Sequence, residues 1–288
     1  MALTLADYRT NEKSWWCPGC GDFGVLAALQ KALLDLQRRP EEVAIVAGIG
    51  CSGKIGNYIN CYNIHTTHGR TLPVATGLKL ANRSLTVIAA GGDGDGYAIG
   101  MGHFMHALRR NVDITYVVMD NHIYGLTKGQ VSPTSDPGFK TKSTPSGNIE
   151  HPVRPLELAI ASGCGFVAQG FSGWQPQLIE IIKQAIEHHG FSLVNVISPC
   201  VTYNKVNTYD FYRANLKKIE DIEGYDPTDR TKALQTVIEH DALLTGVIYR
   251  QEGPSFEDAI PGYREEPIVH QDWSISEKDF EALLAEFK

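Results

Sequence analysis

Short apolar runs rich in β-branched residues recur along the first two hundred residues of the chain. They are Val43–Gly48, Leu85–Ala90, Ile114–Met119 and Leu193–Ile197, and each is bounded by Gly, Asp, Asn or Pro. Such runs are typical of buried parallel strands. Between them lie amphipathic stretches with apolar positions at helical spacing, such as the leucines within residues 26–36. The pattern predicts an α/β fold in which helices cover both faces of a doubly wound, mostly parallel sheet.

The pattern changes after Cys200. Residues 250–272 show no clear period, which predicts a long loop, and Ser276 is placed to cap a last helix that carries Phe280 and Leu284. We therefore divide the chain into an α/β domain, residues 1–200, and a C-terminal extension, residues 201–288. The extension has no sheet of its own in this interpretation, so we expect it to pack on the domain or on a partner subunit.

Composition narrows the class of protein. The 288 residues are 43% hydrophobic and 20% charged, which is ordinary for a folded chain. The net charge of −7 argues against a nucleic-acid binder or a protein of anionic membrane surfaces, because both need a cationic face. No apolar run is long enough to span a membrane, and residues 1–16 lack the core of a signal peptide. We therefore expect a cytoplasmic location.

A loop of alternating glycine and aspartate, Gly91–Gly96, follows the second predicted strand and precedes a helical segment. A glycine-rich turn before a helix presents N–H groups to a phosphate, but its two aspartates would repel one unless a divalent cation lay between them. The next predicted strand ends in Asp120-Asn121, at the same sheet edge. The sequence thus predicts a metal-bridged diphosphate site, and neither a Walker A loop nor a dinucleotide fingerprint is present.

The cysteines form a second group of candidate functional residues. Cys17 and Cys20 form a close pair before the first helix. A thioredoxin-like motif needs a preceding strand and a zinc knuckle usually needs a second close pair, and the sequence shows neither. An iron–sulfur cluster can instead take two distant cysteines, and Cys51 and Cys200 both follow predicted strands. The remaining two, Cys61 and Cys164, are interpreted as small buried residues.

The glycine–aspartate loop resembles the thiamine diphosphate motif. Gly92-Asp93-Gly94 is followed by Asn121, and 26 residues separate Gly94 from that asparagine. In that family the aspartate, the asparagine and a main-chain carbonyl two residues later hold Mg²⁺ on the diphosphate. The resemblance implies that Asp93, Asn121 and the carbonyl of Ile123 are the Mg²⁺ ligands.

Joined to the cysteines, this motif resembles the β subunits of the 2-oxoacid:ferredoxin oxidoreductases over about 200 of the 288 residues. The matching segments are Trp16–Gly21, Gly50–Lys54, His68–Arg70, Gly92–Asp95, Tyr124–Gln130 and Ser198–Cys200. The resemblance implies one 4Fe–4S cluster bound by Cys17, Cys20, Cys51 and Cys200.

The resemblance also implies roles for individual residues. Lys54 would meet a substrate carboxylate, and Lys128 would serve either loop order or substrate charge. The implied contacts to thiamine diphosphate are Ile49, Gly50, Cys51, Ser52, His68, Gly94, Asp95, Gly125 and Leu126.

The implied activity is oxidative decarboxylation of a 2-oxoacid to acyl-CoA and CO₂, with electrons passing through the cluster to ferredoxin. Residues 124–130 resemble the 2-oxoglutarate or broad 2-oxoacid branch of the family, so the favoured substrate is 2-oxoglutarate. Alternatives are a pyruvate-specific member, a non-redox thiamine diphosphate decarboxylase or carboligase subunit, and a metal-binding structural subunit. Thiamine enzymes need a second domain for the aminopyrimidine, and only the diphosphate motif is visible. We therefore expect an α subunit to supply that domain in an (αβ)₂ heterotetramer.

Overall fold

A computed structural model describes residues 3–261, 263 and 266–287. Positions 262, 264 and 265 of the predicted loop 250–272 lie outside the described residues. Within the described ranges, eight strands form one sheet in the order β2-β1-β3-β4-β6-β5-β8-β7. The strands are β1 (Val43–Ala47), β2 (Tyr62–His65), β3 (Thr86–Gly92), β4 (Thr115–Asp120), β5 (Phe166–Phe171), β6 (Ser192–Ile197), β7 (Lys217–Lys218) and β8 (Leu244–Arg250).

The described residues also form nine α-helices. They are α1 (Asp22–Asp35), α2 (Thr71–Ala81), α3 (Met101–Arg110), α4 (Pro155–Ala161), α5 (Gln175–Glu187), α6 (Tyr209–Asn215), α7 (Arg230–Glu239), α8 (Phe256–Ala259) and α9 (Glu277–Ala285). One apolar cluster, around Leu29 and Ile182, packs α1 and α5 on one face. Another, around Phe104 and Tyr116, packs α2, α3, α4 and α7 on the other face. The predicted α/β fold with a mostly parallel sheet is confirmed.

The register of the central strands aligns their carboxyl ends. Ala47 pairs with Ala90, Gly92 with Met119, and Asp120 with Ile197. The chain therefore leaves β1, β3, β4 and β6 at one edge of the sheet, which we call the carboxyl edge. The segments that follow these strands, residues 48–54, 93–95, 121–126 and 198–200, meet there.

The C-terminal extension contributes to the same sheet. β8 pairs antiparallel with β5, and β7 pairs with β8. The hydrophobic pattern did not predict either strand, because Thr245 and Gly246 interrupt the apolar run of β8. The predicted last helix is present as α9, and the Ser276 side chain accepts a hydrogen bond from the Asp279 N–H at its start. The boundary between residues 200 and 201 stays a prediction. In the part of the chain described, no helix is both long and apolar enough to cross a membrane.

Candidate active site

Three of the segments at the carboxyl edge enclose a cavity of about 100 Å³, which we call the cleft. All twelve residues predicted to contact the cofactor or Mg²⁺ line it: Ile49, Gly50, Cys51, Ser52, His68, Asp93, Gly94, Asp95, Asn121, Ile123, Gly125 and Leu126. Gly92, Tyr124 and Thr127 line it too and were not predicted as site residues. The fold thus brings together the residues of the predicted diphosphate site, while their individual roles stay predictions.

Asp93 lies directly after β3 and is only 2% exposed. The Thr134 hydroxyl lies 2.8 Å from Oδ2 of Asp93 and 2.8 Å from Oδ1 of Asp120. A hydroxyl donates a single proton, so it satisfies one carboxylate at a time. Burial, and after it the charge of Asp120, raises the pKa of Asp93 to about 7. The burial of Asp93 and the charge of Asp120 both disfavour a negative Asp93, so a cation beside it would be stabilising.

Asn121 and Ile123 form a tight turn after β4. The Asn121 side-chain oxygen accepts a hydrogen bond of 3.1 Å from the Ile123 N–H. This turn places an amide oxygen and a main-chain carbonyl on the cleft that Asp93 also lines. Carboxylate, amide and carbonyl oxygens are the ligands that Mg²⁺ prefers, so the donor set fits the predicted ion.

Asp95 organises the loops around the cleft. Its Oδ1 accepts hydrogen bonds of 2.9 Å from the N–H groups of Ile49 and Gly69, and its Oδ2 accepts one of 3.0 Å from the Thr71 hydroxyl. His68 Nδ1 lies 2.8 Å from Oδ1, out of line for a hydrogen bond. Asp95 thus ties the segment after β1 to the start of α2, and its predicted direct contact with the cofactor stays a prediction.

Gly94 permits a close approach at the floor of the cleft. A Cβ at this position would lie 2.0 Å from Cε1 of Tyr124. The Tyr124 hydroxyl donates to the Gly94 carbonyl at 3.3 Å, and the Tyr124 N–H donates to the Gln130 carbonyl at 2.9 Å. The absence of a side chain at Gly94 is therefore needed for the loop 124–130 to close over β3.

The two predicted catalytic lysines do not line the cleft. Lys54 is half-buried, and its Nζ lies 5.9 Å from the ring centroid of Trp15. Lys128 is exposed and has a left-handed backbone, with φ of 75°. The structure thus places both on loops that border the cleft, and their predicted roles remain predictions.

The predicted cluster ligands converge beside the cleft. A Cβ at Gly125 would lie 3.6 Å from the Cys200 sulfur and 3.8 Å from the Cys51 sulfur. Burial raises the pKa of the Cys20 thiol well above its usual range, and so do the charges of Asp22, Cys200 and Cys51. The pKa of the Cys51 thiol is raised by burial and, more weakly, by Cys200 and Cys17. The four thiols therefore share one neighbourhood.

The spacing of these thiols bears on whether they could bind a single metal ion or a cluster. No group of three or more His, Cys, Asp or Glu among the described residues is arranged to hold a single metal ion. Ligands of a 4Fe–4S cluster attach at its separate corners, so they lie farther apart than ligands of one ion. Four thiols in one neighbourhood are the donor set that a 4Fe–4S cluster takes, so these residues fit the predicted cluster, and its presence stays a prediction. Cys164 is fully buried, as predicted, whereas Cys61 is only partly buried.

Asp22 and Thr134 are buried polar residues of this region that the sequence did not reveal. Asp22 opens α1 and accepts hydrogen bonds from Ser198 Oγ at 2.6 Å and from Ser52 Oγ at 3.2 Å. Burial raises the pKa of Asp22 to about 6, against the lowering effect of both hydroxyls. An aspartate in a first helical turn is ordinarily explained by the helix dipole alone, so its position carried no special signal.

Comparisons with known proteins agree with this geometry. The family model for the C-terminal TPP-binding domain of thiamine pyrophosphate enzymes matches residues 48–196. The model for the C-terminal part of the pyruvate ferredoxin oxidoreductase beta subunit matches residues 200–265.

Among curated relatives, 2-oxoacid:ferredoxin oxidoreductase 1, subunit beta, of Aeropyrum pernix is 51% identical over 226 residues, covering 78% of this chain and 71% of the relative. Subunit beta of oxidoreductase 2 from the same organism is 42% identical, covering 97% of this chain and 96% of the relative. A solved structure of 2-oxoglutarate:ferredoxin oxidoreductase from Magnetococcus marinus, with 2-oxoglutarate, coenzyme A and succinyl-CoA bound, is 40% identical with a TM-score of 0.90. It covers 98% of this chain, and this chain covers 96% of it.

Proposed function

The chain belongs to the β subunits of the 2-oxoacid:ferredoxin oxidoreductases, thiamine diphosphate enzymes that need partner subunits, and we propose that it serves a 2-oxoglutarate-specific member. The proposed reaction is oxidative decarboxylation of 2-oxoglutarate to succinyl-CoA and CO₂, with ferredoxin as electron acceptor. The proposed assembly is an (αβ)₂ heterotetramer in which the α subunit supplies the aminopyrimidine domain. The solved relative with 2-oxoglutarate and succinyl-CoA bound supports this choice of substrate.

The observation that carries the proposal is the contact between the cleft and the cysteines. Cys51 lines the cleft directly, and Gly125, which also lines it, lies against the sulfurs of both Cys51 and Cys200. An electron acceptor bound there would lie beside the cofactor. This adjacency supports a redox enzyme over a simple decarboxylase.

Each cofactor supplies chemistry that side chains lack. Thiamine diphosphate supplies the carbanion that attacks the 2-oxo carbon and the electron sink that accepts the pair when CO₂ leaves. A 4Fe–4S cluster supplies a one-electron acceptor.

The chain's own residues hold and orient these groups. We propose that Asp93, Asn121 and the Ile123 carbonyl bind Mg²⁺ on the diphosphate, and that Asp95 fixes the surrounding loops. Lys54, next to the Cys51 segment, is proposed to pair with the substrate carboxylate, and Lys128 to order the loop over the cleft.

The test is anaerobic purification of the complex with its α subunit, followed by analysis of iron, sulfide and thiamine. We expect four irons per β subunit on the proposed cluster stoichiometry, and CoA-dependent ferredoxin reduction with 2-oxoglutarate well above that with pyruvate. Zinc without iron would refute the redox proposal. Faster reduction with pyruvate would refute only the substrate.

A Cys51→Ser variant separates redox from non-redox chemistry. We expect it to lose ferredoxin-linked activity, whereas Cys164→Ser, at a fully buried cysteine away from the cleft, keeps it. Full ferredoxin-linked activity in Cys51→Ser would favour a thiamine enzyme without a redox function.

A further inference from the structure

The cysteines proposed to bind the cluster come from three segments far apart in the chain. They are residues 17–20 before α1, the loop after β1 that carries Cys51, and the loop after β6 that carries Cys200. A cluster needs these segments held at fixed distances from one another. Something in the protein has to set those distances.

One buried carboxylate contacts all three segments. Asp22 lies two residues after Cys20 and is 1% exposed. Its Oδ2 accepts a hydrogen bond of 3.2 Å from Ser52, the residue after Cys51, and its Oδ1 accepts one of 2.6 Å from Ser198, two residues before Cys200. Each oxygen of the carboxylate thus holds a different cysteine-bearing loop.

The main chain is packed to bring this carboxylate into place. A Cβ on Gly21 would lie 2.5 Å from the Ser198 hydroxyl oxygen, so a larger residue would push the segments apart. The Gly21 N–H donates to the Pro199 carbonyl at 3.1 Å, and the Trp16 indole donates to the Cys51 carbonyl at 2.7 Å. The three segments therefore form one connected unit around Asp22.

Burying a carboxylate such as that of Asp22 costs free energy, which is unusual for a residue that only links segments of the chain. Within the described ranges Asp22 makes no ion pair, and two serine hydroxyls are its side-chain partners. Burying an unpaired charge costs more free energy than burying a neutral polar group. An acceptor-only side chain with two oxygens, however, is well suited to bridge two hydroxyl donors.

We propose that Asp22 is a positioning residue for the iron–sulfur cluster, whose two oxygens set the spacing of the three cysteine-bearing segments. This inference rests on the proposed function. It predicts that Asp22 acts on the cluster through Ser52 and Ser198 without being a ligand.

The test compares Asp22→Ala and Asp22→Asn in the anaerobically purified complex. The matched control is Gln30→Ala on the same helix, since Gln30 is buried and, among the residues described, its side-chain N–H groups donate only to the carbonyls of Tyr8 and Tyr58. The measurements are iron and sulfide per β subunit, the EPR spectrum of the reduced cluster, and the rate at which a chelator removes iron. Urea unfolding of each variant reports stability separately.

We expect Asp22→Ala to lose iron to the chelator about 10-fold faster or more, the range for residues that orient metal ligands, and to show a changed EPR spectrum. Asp22→Asn, which keeps one acceptor oxygen, should fall between. Gln30→Ala should lower stability with iron content and EPR unchanged.

Wild-type iron retention and EPR in Asp22→Ala would overturn the inference. If Asp22→Ala does not accumulate, Asp22→Asn decides, because a wild-type spectrum and chelator rate there would also overturn it. A wild-type complex without iron would instead refute the proposed function.

Discussion

The two edges of the sheet differ in the ion-pair partners of their buried charged side chains. At the carboxyl edge, Asp22, Asp93, Asp95 and Asp120 are at most 4% exposed, and none pairs with a lysine or arginine among the residues described. The opposite edge, where β3 and β4 begin, is called the amino edge, and there the buried lysine Lys79 has a carboxylate partner, Asp113, at 2.8 Å. The amino edge pairs its buried lysine with a carboxylate, whereas at the carboxyl edge only the imidazoles of His68 and His122 lie near these carboxylates among the residues described.

Buried carboxylates that have no lysine or arginine partner are costly, so their concentration at one edge needs a reason. Burial raises the pKa of Asp93 to about 7 and that of Asp22 to about 6, which shows the cost directly. A bound cation would relieve it at Asp93, whereas the amino edge has no such need. The difference indicates that the carboxyl edge is shaped for ligands and the amino edge for stability, and each prediction below tests that division.

The largest expected effect is on cofactor binding in Asp93→Ala. Removing a proposed Mg²⁺ ligand should weaken thiamine diphosphate binding by about 100-fold, the upper range for metal-site losses. It should leave the free energy of unfolding unchanged or higher, because a costly buried charge is gone. Calorimetry with Mg²⁺ and urea unfolding of the complex measure the two quantities.

Asp113→Ala is the matched change at the amino edge. It leaves the charge of Lys79, which is 6% exposed, without its ion pair, although the Leu85 carbonyl still accepts from it. We expect a loss of about 1–2 kcal/mol in stability, since Asp113 is itself partly exposed, and unchanged cofactor affinity. Equal effects of the two variants on cofactor affinity would contradict the division between the edges.

A second pair of variants compares Cys200 with Cys164. Cys200→Ala should remove a cluster ligand and lower the iron content of the complex. Cys164→Ala, fully buried with its thiol donating to the Phe166 carbonyl at 3.2 Å, should keep its iron and lose about 1 kcal/mol of stability. Iron analysis and urea unfolding check both, and iron loss from Cys164→Ala would be the opposing result.

Glycines give a third comparison. The added methyl of Gly94→Ala would press on the Tyr124 ring at 2.0 Å, so we expect a loss of about 1–3 kcal/mol and weaker cofactor binding. Gly102→Ala, within α3 and with nothing within 4 Å of the new Cβ, should instead gain about 0.5–1 kcal/mol. Unchanged cofactor affinity in Gly94→Ala would show that Tyr124 can move without cost.

Which strands can be predicted from the sequence depends on how each strand is buried and paired in the sheet. β1, β3, β4 and β6 were predictable because strands buried on both faces are continuous apolar runs. β2 was not, because as an edge strand all four of its residues, Tyr62–His65, are exposed. β8 was missed because its antiparallel pairing tolerates Thr245 and Gly246 in the strand.

The site was predictable only where spacing along the chain carries the information. Asp93 and Asn121 are separated by one helix and one strand, so topology alone places them together. Thr134 lies in the irregular stretch between β4 and α4, and no periodicity there indicates that it reaches Asp93 and Asp120. Asp22 acquires its partners only when the segments after β1 and β6 fold against it.

The smallest expected effect concerns the pH dependence of stability at the amino edge. His188 ends α5, is 4% exposed, and has no hydrogen bond to either ring nitrogen within the described structure. Burial lowers its pKa, and the charge of Arg250 adds to this, whereas Glu252, with an oxygen 3.9 Å from Nδ1, and Asp113 oppose it. The folded protein therefore binds this proton less tightly than the unfolded chain, whose histidine pKa is about 6.5.

The stability contributed by neutral His188 is complete above pH of about 6.5 and declines as the pH falls toward the lower pKa of the folded state. His188→Phe, packed against the Phe166 ring that now lies 5.5 Å from the imidazole, should remove this decline. Urea unfolding at a pH of about 7.5 and at a pH of about 5.5, one unit either side of that value, measures the decline in stability. His189→Gln, at the exposed neighbour, should keep the wild-type contribution of His188. If His188→Phe lost as much stability on acidification as the wild type, burial of this imidazole would not be the cause of the decline.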